Sequence, residues 1–319
     1  MTNMYIAACD KNGGIYHYGV EGKNVIEKQF FALDRPMYME ISGNKLYCVL
    51  RDPSGDGKSG IITLDIDNNG NLCNKSEIIL TLGVVGCHLT VSDKGVFCAN
   101  YVSGDVFRTP DLLVTHEGKG VHPTRQDKPH THCTVLTPDK KYVCVCDLGV
   151  DKIFIYDLDL NKKNETKFPD GAGPRHIVFS DDGKYLYCVT ELSNEVFSFC
   201  YNDGELKLIS KIPTLPSDFT DKNTAAAIRL DGDYLYASNR GHNSIAVYKV
   251  NDGNLSLIDI ISCGGIGPRD FNISENLLVC TNENSNDVTF FELKDGIPKI
   301  LDFKLEMPGP LNVIFRKED

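Results

Sequence analysis

With 319 residues, 28 Gly and 14 Pro, the chain is long enough for a large core and has neither collagen-like nor disordered composition. Its formal net charge of −11 argues against nucleic-acid partners, and it would repel an anionic small molecule unless a local cluster of Arg or Lys receives it. No run of about 18 apolar residues occurs and the first ten residues do not read as a secretory signal, so the expectation is a cytoplasmic chain without a membrane partner.

In chain order, Met4 to Val20 (MYIAACDKNGGIYHYGV) reads as two strands about an Asn/Gly turn, with no strand before them. A fuller unit starts at Pro36 (PMYMEISGNKLYCVLRD) and ends in GIITLDID after an insertion. Relatives of this unit start at Gly86 (GCHLTVSDKGVFCANYVSGDVF), Pro129, Gly173, Thr224 and Gly267. The clearest copy is Gly173 to Phe199, GPRHIVFSDDGKYLYCVTELSNEVFSF. Each holds a strand ending near Ser or Thr, an Asp/Gly/Lys turn, a second strand, a short polar turn and a third strand. A weaker fourth strand follows an Asn/Asp-Gly turn, as in NDGNLSLIDII. The unit starts lie about 45 residues apart, the spacing of propeller blades.

The C-terminus, PGPLNVIFR, is a first strand with nothing after it. Joined to the N-terminal strands it completes a seventh blade and leaves neither end as an open sheet edge. The expected fold is therefore all-β: a seven-bladed propeller of four-stranded antiparallel blades, one domain over residues 1–319, closed by its own termini. Pro110 to Gln126 and Asp218 to Asn223 read as loop insertions, and Asn194, Asn243 and Asn286 as turn formers.

Twelve cysteines do not make a disulfide framework in a chain of this size. Aligned on their second strands, Cys48, Cys98, Cys188 and Cys280 share one position with Ile6, Val145 and Ala237. A position that accepts Cys, Ile, Val and Ala is a buried packing site, and the thiols are read as free and inert.

First strands line a propeller's channel, and the ends of second strands meet them on one rim. The first-strand ring reads Met37, Cys87, His132, Arg175, Ala225, Arg269 and Leu311; the second reads Cys9, Arg51, Tyr101, Leu148, Glu191, Arg240 and Glu283. His132, Arg175, Glu191, Arg240, Arg269 and Glu283 cluster in the later blades, which suggests an anion pocket with an acid/base inside it. Bracing ion pairs are the alternative for the two G-P-R arginines and for Glu191. His130 and His132 are two apart, so on a strand they share a face. An H-x-H pair offers a metal two ligands, but no third is evident, so no metal is assigned. His88 and His176 are read as packing residues pointing away from the channel. No nucleophile elbow, Walker loop or dinucleotide fingerprint is present, so acyl chemistry here would use activated water.

Across nearly its whole length the chain resembles the lactonase-type seven-bladed propellers, which include bacterial propeller-type 6-phosphogluconolactonases and fungal carboxy-muconate lactonizing enzymes. The resemblance rests on P-H-x-H with the following T-P-D-x-x-Y strand and DLGVDKI (Pro129 to Ile153), G-P-R-H (Gly173 to His176), S-N-R-G-x-N-S-I (Ser238 to Ile245) and G-P-R-x-F (Gly267 to Phe271). It implies a catalytic group of His132, Arg175, Glu191 and Arg240, with His130, the other His of the motif, as a second-rank candidate; His130 and, from the rim reading, Arg269 and Glu283 are the candidates for holding substrate. It also implies a small anionic sugar lactone or other organic acid as ligand and a 6-phosphogluconolactonase in the pentose phosphate pathway, with no cofactor. A guanidinium suits the oxyanion or a phosphate, and either Glu191 or His132 suits the base. A dicarboxylate cycloisomerase and a non-catalytic binding propeller are the other readings; the chain has no Trp, so it lacks the W-D signature of scaffold propellers.

Overall fold

Short apolar-rich segments separated by Gly, Asp and Asn turns fold back on one another as antiparallel strands, four to a sheet. The computed structural model describes residues 2–317; Met1, Glu318 and Asp319 lie outside it. Its sheets are seven blades, numbered here from the one that holds both termini.

Blade 1 is built from Pro310–Lys317, Thr2–Ala8, Gly14–Glu21 and Asn24–Ala32, in that order from the channel outwards. The innermost strands of blades 2 to 7 are Pro36–Ser42, Gly86–Ser92, Thr131–Leu136, Pro174–Phe179, Thr224–Asp231 and Pro268–Ser274. Each pairs antiparallel with the strand that follows it. In blade 2 the outermost position is split between Leu72–Cys73 and Ile79–Val84. Part of the expected insertion Pro110 to Gln126 is the fourth strand of blade 3, Leu112–Thr115; the rest is loop. The one helical segment among the described residues is a short 3-10 helix, Leu148–Val150.

The turn formers also join blades. Asn194, Asn243 and Asn286 all sit at φ 56°, the left-handed region that Asn tolerates. Each uses its side-chain oxygen to accept a backbone N–H where the next blade begins: Ala225 at 3.0 Å, Gly267 at 2.9 Å and Gly309 at 2.9 Å. Asp151 does the same for Gly173 at 2.7 Å. The polar turn thus fixes where the next first strand enters the channel.

Apolar side chains from facing sheets fill the wedges between blades, for example Ile153, Ile155, Ile177, Leu186 and Phe197 between blades 4 and 5. Cys48, Cys98, Cys188 and Cys280 are fully buried, as are Ile6, Val145 and Ala237. All twelve cysteines are free thiols, and burial pushes those of Cys48, Cys98 and Cys280 up. A small thiol reagent applied to the native protein should modify exposed Cys200 first and leave these four untouched, as read by mass spectrometry. Rapid native labelling at any of the four would contradict the packing role.

Candidate active site on the channel rim

Every first strand carries a β-bulge at the position facing the channel mouth. In blade 2, Pro36 pairs with Leu50 and Tyr38 with Val49, so Met37 is left without a partner. Cys87, His132, Arg175, Arg269 and Leu311 are skipped in the same way. In blade 6 the irregularity spans Ala226 and Ala227, so the ring position expected at Ala225 falls one residue later. An unpaired residue re-aims its side chain, and here it does so seven times round one opening.

The bulge corrects two expectations. His130 and His132 do not share a face, because His132 is the skipped residue. His130 is turned away from the pocket: its Nδ1 lies 2.9 Å from the Tyr101 carbonyl oxygen, its Nε2 3.2 Å from Asp127, and its ring stacks on Tyr101. Conversely, His88 and His176 point into the channel. Their rings lie 5.2 Å apart although blades 3 and 5 are not neighbours, and His88 stacks on Tyr38 of blade 2 at 4.0 Å.

A cavity of about 360 Å³ opens on this rim. Its lining includes Arg51, Tyr101, Arg125, His132, Glu191, Arg240, Arg269 and Glu283. Of the expected group, Arg175 lies just beneath, 1% exposed, and lines a smaller cavity together with His132, His176 and Asp270. Cys9 and Leu148 of the second ring do not reach the cavity.

Glu191 is the hub. One carboxylate oxygen accepts from Arg175 Nε and ion-pairs with an Arg240 terminal nitrogen, both at 2.9 Å; the other oxygen meets Arg125. Burial works against ionising this carboxyl, but Arg240, Arg175 and Arg125 outweigh it and hold the group well below the usual carboxylate range. The hub is anchored to the frame, since Arg175 donates to the Ala226 carbonyl at 2.7 Å and Arg240 to that of Ala225 at 3.2 Å. Arg269 and Glu283 form a separate pair at 3.2 Å.

His132 has no such partner. Its Nδ1 is buried without a hydrogen bond. Burial, reinforced by the nearby Arg175 charge, keeps the imidazole well below its ordinary pKa, so the ring is neutral at neutral pH. Cys87, also on the wall, is pushed up to about 12 by burial and remains a thiol. No cluster of three His, Cys, Asp or Glu side chains set to hold a metal ion is found among the described residues.

Arg125 is the site residue that the repeat pattern does not reveal. It comes from the loop between blades 3 and 4, outside the repeat register, and also donates to the Tyr101 hydroxyl at 3.1 Å. The available signal was a basic residue, in HPTRQDKPH, directly before the P-H-x-H strand of an acidic chain.

A family model described as "Lactonase, 7-bladed beta-propeller" matches residues 3–315. The chain belongs to this family. A 6-phosphogluconolactonase of Bacillus subtilis strain 168 is 36% identical, with 98% of this chain and 97% of that protein covered. A solved structure of a protein from Lactobacillus plantarum superposes with TM-score 0.90 at 32% identity, covering 99% of this chain and 100% of the other. The Pseudomonas aeruginosa periplasmic gluconolactonase PpgL superposes with TM-score 0.88 at 25% identity, covering 100% and 99%.

This lactonase-family propeller has a polar floor below the pocket. Asp270 of blade 7 accepts from Arg229 of blade 6 at 2.7 Å and from Asn312 of blade 1 at 2.6 Å; Asn312 in turn accepts the Met39 N–H of blade 2 at 3.0 Å. Four blades are thereby tied together directly beneath the reactive rim. No helix among the described residues is long and apolar enough to cross a membrane.

Proposed function

We propose that the chain hydrolyses a sugar lactone, and that the lactone is 6-phosphogluconolactone, a reaction of the pentose phosphate pathway. One observation carries the assignment of roles: Glu191 is committed to three guanidiniums, whereas His132 stands neutral and unpaired on the wall of the same pocket. A carboxylate so stabilised is a poor proton acceptor. His132 is therefore the general base and Glu191 the residue that orients the guanidiniums.

In the first step a water oxygen attacks the lactone carbonyl carbon while His132 takes the proton. The carbonyl oxygen becomes an oxyanion and lies against Arg240, whose Nε is buried with no partner of its own and one of whose terminal nitrogens is held by the Ala225 carbonyl and Glu191. In the second step the bond from that carbon to the ring oxygen breaks, and the imidazolium returns its proton to the leaving alkoxide. The products are the open hydroxy acid and the free-base imidazole. Water and these side chains balance the reaction, and no cofactor enters it. Arg175 supports Glu191 from below, and Arg269 with Glu283 lines the approach.

The names of the relatives from Bacillus subtilis and Pseudomonas aeruginosa support lactone chemistry over muconate cyclisation. Twelve free thiols favour a reducing compartment, consistent with a cytoplasmic enzyme. The shared terminal blade favours one domain over residues 1–319; the cluster of arginines on the rim favours a small anionic ligand, and the net charge of −11 disfavours nucleic acid and anionic membrane surfaces.

The test is acid release from freshly made 6-phosphogluconolactone, followed against its spontaneous opening. Enzyme at low micromolar concentration should speed the reaction well beyond the blank and turn over many times. A rate equal to the blank would reject the lactonase reading, and cyclisation of a carboxy-muconate instead would favour the isomerase.

A further inference from the structure

We infer that Arg51 is the residue by which this site recognises a distal phosphate, and so the one that separates phosphorylated from unphosphorylated lactones; this rests on the hydrolase reading above. Arg51 follows the second strand of blade 2, Lys45–Leu50, and lines the pocket with an exposed side chain.

The charges of the site divide unevenly. Arg125, Arg175 and Arg240 share Glu191, and Arg269 is paired with Glu283. Arg51 makes no hydrogen bond or ion pair through its side chain with any described residue. Its neighbour Asp52 is not free to neutralise it. Asp52 sits at φ 51° and spends its carboxylate on the Gly57 N–H at 2.7 Å and on Arg35 at 3.9 Å. The result is an unpaired guanidinium on a pocket wall, in a chain whose net charge of −11 leaves little reason to keep one there.

Its position in the ring gives the ligand a length. Arg175 and Glu191 belong to blade 5, and Arg51 is three blades away, the largest separation a seven-membered ring permits. A lactone whose carbonyl lies at His132 and Arg240 would extend its far end across the opening, towards Arg51. A phosphate there is matched by a planar guanidinium able to form two parallel hydrogen bonds. An unphosphorylated lactone offers that wall only a neutral hydroxyl.

The experiment measures discrimination in the parent, R51Q, R51K and, as a control for long-range charge, K94Q on the outer surface. The first readout is the ratio of kcat/KM for 6-phosphogluconolactone to that for glucono-1,5-lactone. The second, independent of catalysis, is calorimetric binding of 6-phosphogluconate against gluconate. R51Q should lower both preferences by about 10- to 100-fold, the size of one lost charge-assisted contact. R51K should restore part of the loss, and K94Q should leave both ratios as in the parent. A folded R51Q with parental ratios overturns the assignment while the hydrolase reading stands. A parent that hydrolyses neither lactone rejects the hydrolase reading, and the binding arm then decides: a preference for 6-phosphogluconate that R51Q loses sustains the phosphate site, and no preference overturns it.

Discussion

Removal of Gly309 to Asp319 should abolish cooperative folding of the whole ring. The deletion takes away the innermost strand of blade 1, which pairs with Thr2–Ala8 along most of its length. Leu311 and Val313 are buried, and at ~1.5–3 kcal/mol per buried aliphatic side chain their loss alone costs ~3–6 kcal/mol. That is comparable to the ~5–15 kcal/mol that holds a typical domain together. The deletion also frees the edge of Thr2–Ala8 and strips Asn312 from Asp270 and from the Met39 amide, both at the centre of the floor. Circular dichroism melts should show no folded baseline, or a transition far below that of the intact chain. A truncated protein melting within a few degrees of the parent would contradict ring closure. Asn312→Leu isolates the polar part of the argument. It keeps the strand but leaves Asp270 and the Met39 N–H short of a partner, at a cost of ~1–3 kcal/mol each.

The ring itself was legible because each blade repeats one hydrophobic pattern at a near-constant spacing, and a repeat fixes position as well as strand identity. Arg175 and Glu191, or Arg240 and Glu283, could be assigned to one rim from register alone. Three details escaped for distinct physical reasons. A β-bulge changes which side chains face the channel without leaving a residue signature, so His130 was expected beside His132, and His88 and His176 were expected to face away. The run Ala225 to Ala227 offers no contrast between inward and outward positions, and the ring residue there was set one place early. Arg125 arrives on an insertion whose position no repeat constrains. The protonation roles were not legible either. Sequence assigns Glu191 and His132 to the same pocket but cannot say how many guanidiniums one carboxylate collects.

That difference makes the second large prediction a contrast between two variants. His132→Asn should lower kcat by ~10²–10⁴-fold, the usual worth of a positioned base, with the fold and binding of 6-phosphogluconate retained. Glu191→Gln should fail differently. It sets Arg125, Arg175 and Arg240 around a neutral amide, and removing one partner of a buried pair costs ~3–5 kcal/mol. Its main symptoms should therefore be a lower melting temperature and weaker binding, with loss of rate as a consequence. The pH dependences follow from the directions of the two shifts. Burial and the Arg175 charge depress the His132 pKa, so the free base persists as pH falls through the ordinary His range. Parental kcat/KM should stay on its plateau there and decline only in more acidic solution, and His132→Asn should remove that decline. For stability, the unfolded chain protonates His132 below about pH 6.5 while the folded state resists, so this residue costs stability as pH falls and the Asn variant should be relatively more acid-resistant. Glu191, its pKa depressed in the fold, supplies stability that is present above the ordinary Glu pKa and is lost only as pH falls through its own lower value. The gap in melting temperature between parent and Glu191→Gln should therefore persist from neutral pH to about pH 5 and close only in stronger acid. If a stably folded Glu191→Gln protein instead binds normally and loses its rate, while His132→Asn turns over like the parent, Glu191 is the base and the roles are reversed.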